Sequence, residues 1–229
     1  SVGARNREQA KEGAPGLAAR LRELVERGKD FEGGALDDEE RAGYRTTIAL
    51  AERYAAEADS LEVLPPTRTV DDRLTLRLGR RAVEVLHLGG GHTRADLVVH
   101  LPEEGVVIAG DLVVWPVPLV GSTSYPAAYA ASLERLLALR PRVIVPGHGP
   151  VMRDDAHVRA TLRLLRSLVA QTRAAVARGE TLEEARRRVD LEPSRREIAG
   201  GSALRSFVFQ SYVTGPGVAA AYREAKAGR

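Results

Sequence analysis

The chain has 229 residues, 44% of them hydrophobic and 28% charged, which is enough for one sizeable domain with its own core. Its formal net charge is only +3, aromatic residues make up 4%, and Arg is scattered among acids, so the clustered cations and stacking rings of a nucleic-acid binder are missing despite a pI near 9.4. No apolar run approaches the roughly 18 to 20 residues of a membrane helix, so a soluble chain without membrane contact is expected, and the lack of cysteine removes disulfides, thiolate metal sites and Cys nucleophiles while leaving the compartment open.

Residues 15–28 carry leucines at helical spacing between Pro15 and Gly28, ordinary start and stop signals, and predict a short surface helix. A longer helix is expected over 37–60, which opens with acids that suit the helix dipole and then spaces Tyr44, Ile48, Ala51 and Ala55 along one side. A Pro-containing connector, 64–72, leads into two strands, 74–78 and 82–88, joined by a hairpin turn at Gly79-Arg80. Strands follow at 96–101, 106–109 and 143–145, with a tight turn at 102–105, and their near-continuous Val and Ile content suggests burial on both faces. Helices are expected over 126–139, 156–178, 182–189 behind a Thr181 and Glu184 capping box, and 203–227 with an interruption at Gly215-Pro216-Gly217.

Three short turns stand at the ends of these strands: Gly-Gly-His-Thr at 90–93, Gly-Asp at 110–111 and Pro-Gly-His-Gly-Pro at 146–150. Each sets out a side chain able to bind a metal, and two imidazoles with one carboxylate are donors that zinc or another divalent ion accepts. The triple glycine before His92 allows a sharp turn and close backbone approach. Gly110 aims Asp111 outward from just past its strand, and His148 is held rigidly between glycines and prolines. Taken singly, His92 reads equally as a loop residue capping backbone groups and Asp111 as a turn or helix cap. His87 and His100 lie within strands and read as structural imidazoles, and His157, on a helix, reads as solvated. Thr93 and Asp96 either orient the His92 turn or, for Asp96, cap their own loop. The apolar loop 112–125 holds the only Trp, Trp115, which either lines a substrate pocket or packs in the core.

The order strand, Gly-His-Thr, strand, Gly-Asp, helix, strand, Pro-Gly-His resembles the second half of the metallo-β-lactamase superfamily, over about residues 68–155. That resemblance implies an α/β fold, an αββα sandwich of two face-to-face sheets, whose N-terminal part is missing here, in a single domain over 1–229 with 156–229 as a mainly helical extension. It implies His92 as a ligand of a first metal, Asp111 as the catalytic bridge between two ions, His148 as the last ligand of the second, and Zn2+ as the cofactor. The expected activity is hydrolysis of a small-molecule substrate by a metal-activated water; substrate and oligomeric state are left open.

Superfamily members also carry HxHxDH on an earlier strand, and no histidine precedes His87 here. Two expectations compete. In one, this is the C-terminal portion of a longer parent, consistent with a sequence that starts at Ser1 and has Met152 as its only methionine. In the other it is a degenerate, non-catalytic binding module on the same fold. If the first holds, the inner face of the sheet lacks the second sheet that would cover it.

Overall fold

The computed structural model describes residues 2–31, 33–60, 62, 64 and 66–228. Ser1, and Pro65 within the predicted connector, lie outside the described residues. The chain divides into two compact units, Ser1–Thr69 and Val70–Arg229.

The first unit is a pair of helices, α1 (Val2–Arg27) and α2 (Asp38–Glu57), followed by a 3₁₀ turn at Ala58–Ser60. The predicted first helix was too short. It begins well before Pro15, because the preceding segment is rich in Ala, Glu, Gln, Lys and Arg, and these formers outweigh the one backbone hydrogen bond that an internal Pro removes. Gly28, at φ 61°, ends it as expected. At the start of α2, Asp37 accepts from the Glu40 N–H at 2.7 Å and Glu40 accepts from the Asp37 N–H at 3.1 Å, a reciprocal capping box.

The second unit is built on one five-stranded sheet in sequential order: β1 (Arg73–Leu78), β2 (Arg81–His87), β3 (Leu97–Leu101), β4 (Val106–Val114) and β5 (Val143–His148). The first four are antiparallel, and β5 returns parallel to β4 after helix α3 (Pro126–Ala138). The two-residue turn at Gly79-Arg80 joins Leu78 to its partner Arg81, as the hairpin signal required. Four more helices follow: α4 (Ala156–Ala177), α5 (Leu182–Arg188), α6 (Glu192–Ala199) and α7 (Ala203–Phe209). A π-helical turn, Gln210–Thr214, then leads into α8 (Gly215–Ala227). Helix α6 carried a signal that went unread: Glu192 and Pro193 at its first turn, the residue types that favour a helix start.

Only one face of the sheet is buried, not both. Leu86, Val98, Val107, Ala109 and Ile144 point into a core shared with Tyr129, Leu133 and Leu136 of α3 and Leu164, Leu165 and Leu168 of α4. The opposite face is equally apolar but open, with Leu78 at 67%, Ile108 at 42% and Leu97 at 41% exposure. Cross-strand neighbours there run from Leu76 and Val83 through Val85 and Val99 to Ile108 and Val145. The Val and Ile content correctly reports an apolar surface on both faces, but composition does not say which face a chain can cover.

The helical break also falls one turn earlier than predicted. Pro216 has no N–H to offer the carbonyl of Tyr212 four residues back, and that carbonyl instead accepts from the Val120 N–H at 3.2 Å. The π-helical turn absorbs the resulting change of register. Gly217 sits where a Cβ would lie 3.3 Å from Val120 Cγ1, so the loop from β4 docks closely on the broken helix.

An open apolar face of this kind should bind ANS strongly. The paired change Leu97→Thr and Ile108→Thr, both on exposed strand positions, is expected to weaken that fluorescence clearly while leaving cooperative unfolding intact; a chain that ignores ANS would mean the face is covered.

Candidate metal centre

Asp111 and His148 are brought together by the parallel pairing of β4 and β5. Gly110 pairs with Pro146 and Val114 with His148, so three β4 residues lie opposite the single Gly147. This irregularity kinks β4 and re-aims Asp111. Asp111 therefore lies inside a strand that runs on to Val114, not just past its end as predicted, because pairing resumes beyond the bulge. Asp111 Oδ1 is 3.6 Å from His148 Nε2, with side chains 37% and 64% exposed. Gly147 makes the approach possible, since a Cβ there would run into the Asp111 carboxylate and the Gly110 carbonyl.

His92 is positioned by other means. Its Nδ1 bonds to the Leu119 carbonyl at 3.2 Å, which fixes the ring and leaves Nε2 free, the usual arrangement around metal-binding imidazoles. The His92 carbonyl accepts from Thr123 Oγ1 and Ser124 Oγ, each at 3.2 Å. Asp96 does not touch the ring: it accepts from the Thr93 N–H at 2.9 Å and Thr93 Oγ1 at 2.8 Å and so caps its own loop. Among the described residues no group of three or more His, Asp or Glu side chains is arranged to hold a metal ion. The structure thus joins Asp111 to His148 and leaves His92 outside that pair.

Helix α3 underpins both turns, through residues that spacing gave no reason to single out. The fully buried Tyr129 hydroxyl donates to the Asp111 and Leu112 carbonyls, at 3.1 and 3.0 Å. A Cβ on Gly91 would lie 2.8 Å from Tyr129 Cδ2 and 2.5 Å from Leu112 Cδ2, so the ring packs against the backbone just before His92. Ser132 Oγ bonds to the Leu88 and Gly90 carbonyls, at 2.8 and 2.6 Å, so the same helix also holds the stretch leading to His92. Burial and the nearby Asp96 and Asp111 push the Tyr129 hydroxyl far above its ordinary range, and it stays a neutral donor.

The remaining histidines are structural. His100, buried, bonds to Glu84 Oε2 at 2.9 Å directly across the β2–β3 ladder, and His87 Nε2 to the Arg94 carbonyl at 3.1 Å. His157 is not solvated as predicted. It is half-buried at the start of α4, where it donates to the Val114 carbonyl at 2.8 Å, and burial holds its pKa below 6.5. Trp115 is 37% exposed, which removes it from the core.

A divalent ion fits these donors as part of a shell. Asp111 and His148 face one another from rigid backbone, and His92 is oriented through its other nitrogen, but a closed four-ligand zinc site needs more donors than these.

Comparison with known proteins fixes the family. Residues 14–148, more than half the chain, match the model of the metallo-β-lactamase superfamily. The chain belongs to that superfamily. It is 27% identical over 173 residues to a linear primary-alkylsulfatase from a Pseudomonas strain, covering 67% of this chain but only 33% of the relative. This metallo-β-lactamase superfamily chain therefore spans about a third of the length of that curated relative. Similar solved structures include a metallo-β-lactamase from Pontibacter korlensis, at 23% identity over 63% of this chain and 76% of that one, with a TM-score of 0.41. The metallo-β-lactamase IND-7 is 27% identical over 45% and 49% of the two chains, with a TM-score of 0.40.

Two outcomes follow from the packing. Tyr129→Phe strands the Asp111 and Leu112 carbonyls in a dry interior and should lower stability by about 1 to 3 kcal/mol by denaturant unfolding, with little change in m-value; an unchanged midpoint would mean water replaces the hydroxyl. For His157, the native pKa lies below the unfolded one near 6.5, so the unfolded chain takes up its proton first as pH falls. Its contribution is complete above about pH 6.5 and is lost below it, and His157→Gln should flatten that part of the stability profile.

Proposed function

We propose that this chain supplies part of the active site of a metal-dependent hydrolase, with Asp111, His148 and His92 as ligands and a small-molecule substrate. The observation that carries the reading is the facing pair Asp111 and His148 across the bulged, parallel ends of β4 and β5. A bound divalent ion, zinc being the first candidate for this donor set, would supply Lewis acidity and lower the pKa of a water from about 15.7 towards about 7. On this reading Asp111 would orient a reacting water and receive its proton, and its partly solvent-accessible carboxylate beside His148 supports that role. His92 and His148 hold their donor nitrogens on backbone that cannot easily move, so little reorganisation accompanies the reaction. The HxHxDH motif that supplies further ligands in the superfamily does not occur in these 229 residues.

Family membership supports hydrolysis as the class of reaction, and the alkylsulfatase relative makes sulfate esters one candidate among amides, thioesters, lactones and phosphoesters. A second reading, a non-catalytic binding module, is favoured by that same lack of HxHxDH and of any described three-residue ligand group. Nucleic acid is not an expected partner, and no helix among the described residues is long and apolar enough to cross a membrane.

Zinc binding separates the readings. Equilibrium dialysis of the chain should find weak retention that falls about tenfold or more in Asp111→Ala and His148→Ala, while His87→Ala and His100→Ala leave it unchanged. Retention unaffected by the first two changes would remove the hydrolase reading and leave the binding module.

A further inference from the structure

Against Trp115, which packs on the turn carrying His148, stands a cation that the proposed chemistry does not use. Arg205, on α7, holds its guanidinium 4.9 Å from the centroid of the Trp115 ring. It is half-buried, and no carboxylate among the described residues pairs with it. Other arginines of the C-terminal helices have a carboxylate partner: Arg195 and Arg196 share Glu192, and Arg163 bonds to Glu197. Trp115 in turn is tied to the candidate centre, its backbone N–H donating to the His148 carbonyl at 3.0 Å. A Cβ on Gly149 would lie 2.7 Å from Trp115 Cβ, so the tryptophan lies against the turn that carries His148.

A partly dehydrated guanidinium gains from an aromatic face, but its five N–H donors remain oriented for an acceptor that the described residues do not provide. A planar fork of this kind matches an oxyanion through two parallel hydrogen bonds. Trp115, 37% exposed, offers an apolar surface next to it. Charge and apolar surface side by side select a ligand that has both.

We infer that Arg205 and Trp115 form a subsite for an organic oxyanion, in which the guanidinium takes a sulfate, phosphate or carboxylate group and the indole takes the carbon chain attached to it. Trp115 borders the turn that carries His148, so the subsite would hold an anionic substrate on that side of the centre; in this respect it rests on the hydrolase reading above.

Trp115 is the only tryptophan, so its emission reports on the subsite without labelling. The probe is hexyl sulfate, below its micellar range, with 1-hexanol and inorganic sulfate as the neutral and chain-free counterparts, each followed by Trp115 emission and by calorimetry. Hexyl sulfate should bind saturably and at least tenfold more tightly than either counterpart. Arg205→Gln should weaken it about tenfold, Arg205→Lys less, and Arg45→Gln, an exposed arginine of the first unit, not at all; far-UV circular dichroism checks that each variant is folded. Equal binding of hexanol, or an Arg205→Gln chain that binds hexyl sulfate like the parent, would overturn the subsite. Zinc dialysis keeps the two readings apart. Zinc retention that ignores Asp111 and His148, together with hexyl sulfate binding that needs Arg205, removes the hydrolase and leaves the subsite. Zinc retention that depends on them, with hexyl sulfate indifferent to Arg205, removes the subsite alone.

Discussion

The position of the candidate centre depends on one buried tyrosine. Tyr129 sits at the crossing of the two chain segments that carry His92 and Asp111, its ring against Gly91 and its hydroxyl on the Asp111 and Leu112 carbonyls. Backbone carbonyls at a bulge have lost their ladder partners, and in a dry interior each must find another donor. The tyrosine supplies one donor to two acceptors and so turns an irregular strand into a fixed platform for a carboxylate. Any ring shift would be felt at once by Gly91, because no Cβ could fit between the backbone and the ring. The two turns are thereby coupled through packing even though their side chains do not meet.

That platform is secured from the far end of the chain. Helix α3 has Tyr125 at its N-cap, which makes no side-chain cap, and Pro126 supplies no N–H. The next free donors, the Ala127 and Ala128 N–H groups, are taken by the Glu224 carboxylate of α8, at 2.7 and 3.3 Å. A carboxylate at a helix N-terminus also opposes the helix dipole favourably. Neighbouring Arg223 bonds to the Ser122 and Ser124 carbonyls, at 2.9 and 3.1 Å, and Ser124 in turn supports His92. The C-terminal helices are therefore a brace for the candidate centre: α8 holds the start of α3 and the loop behind His92, while the break before it receives Val120.

Much of this was legible in the sequence, and what was not has a common cause. Local signals worked where the physics is local: the hairpin at Gly79-Arg80 and the Thr181 and Glu184 capping box both follow from neighbouring residues. Long-range partners were invisible. Nothing within a few residues of Tyr129, Ser132 or Glu224 announces that each satisfies backbone groups some 17 to 97 positions away. His157 was misjudged for the same reason, since the Val114 carbonyl that accepts from its ring lies on another element. The bulge that placed Asp111 inside β4 likewise depends on β5, and no reading of β4 alone would have extended the strand past Gly110.

The open sheet face and the open ligand set are one structural problem. β4 carries Ile108 on the exposed apolar face and, a bulge later, Asp111; β5 carries Val145 on that face and, at its end, His148. Because the two strands are parallel, both donors lie toward the C-terminal ends of β4 and β5. An element that covered Ile108 and Val145 would lie over residues three positions before Asp111 and His148. Burial of apolar area favours such a cover strongly, at about 25 cal/mol per Å2, and is indifferent to its precise chemistry, whereas a metal shell demands particular donors at fixed distances. The hydrophobic face can therefore bring a covering layer into place, and only the residues at its rim need be chosen for the metal.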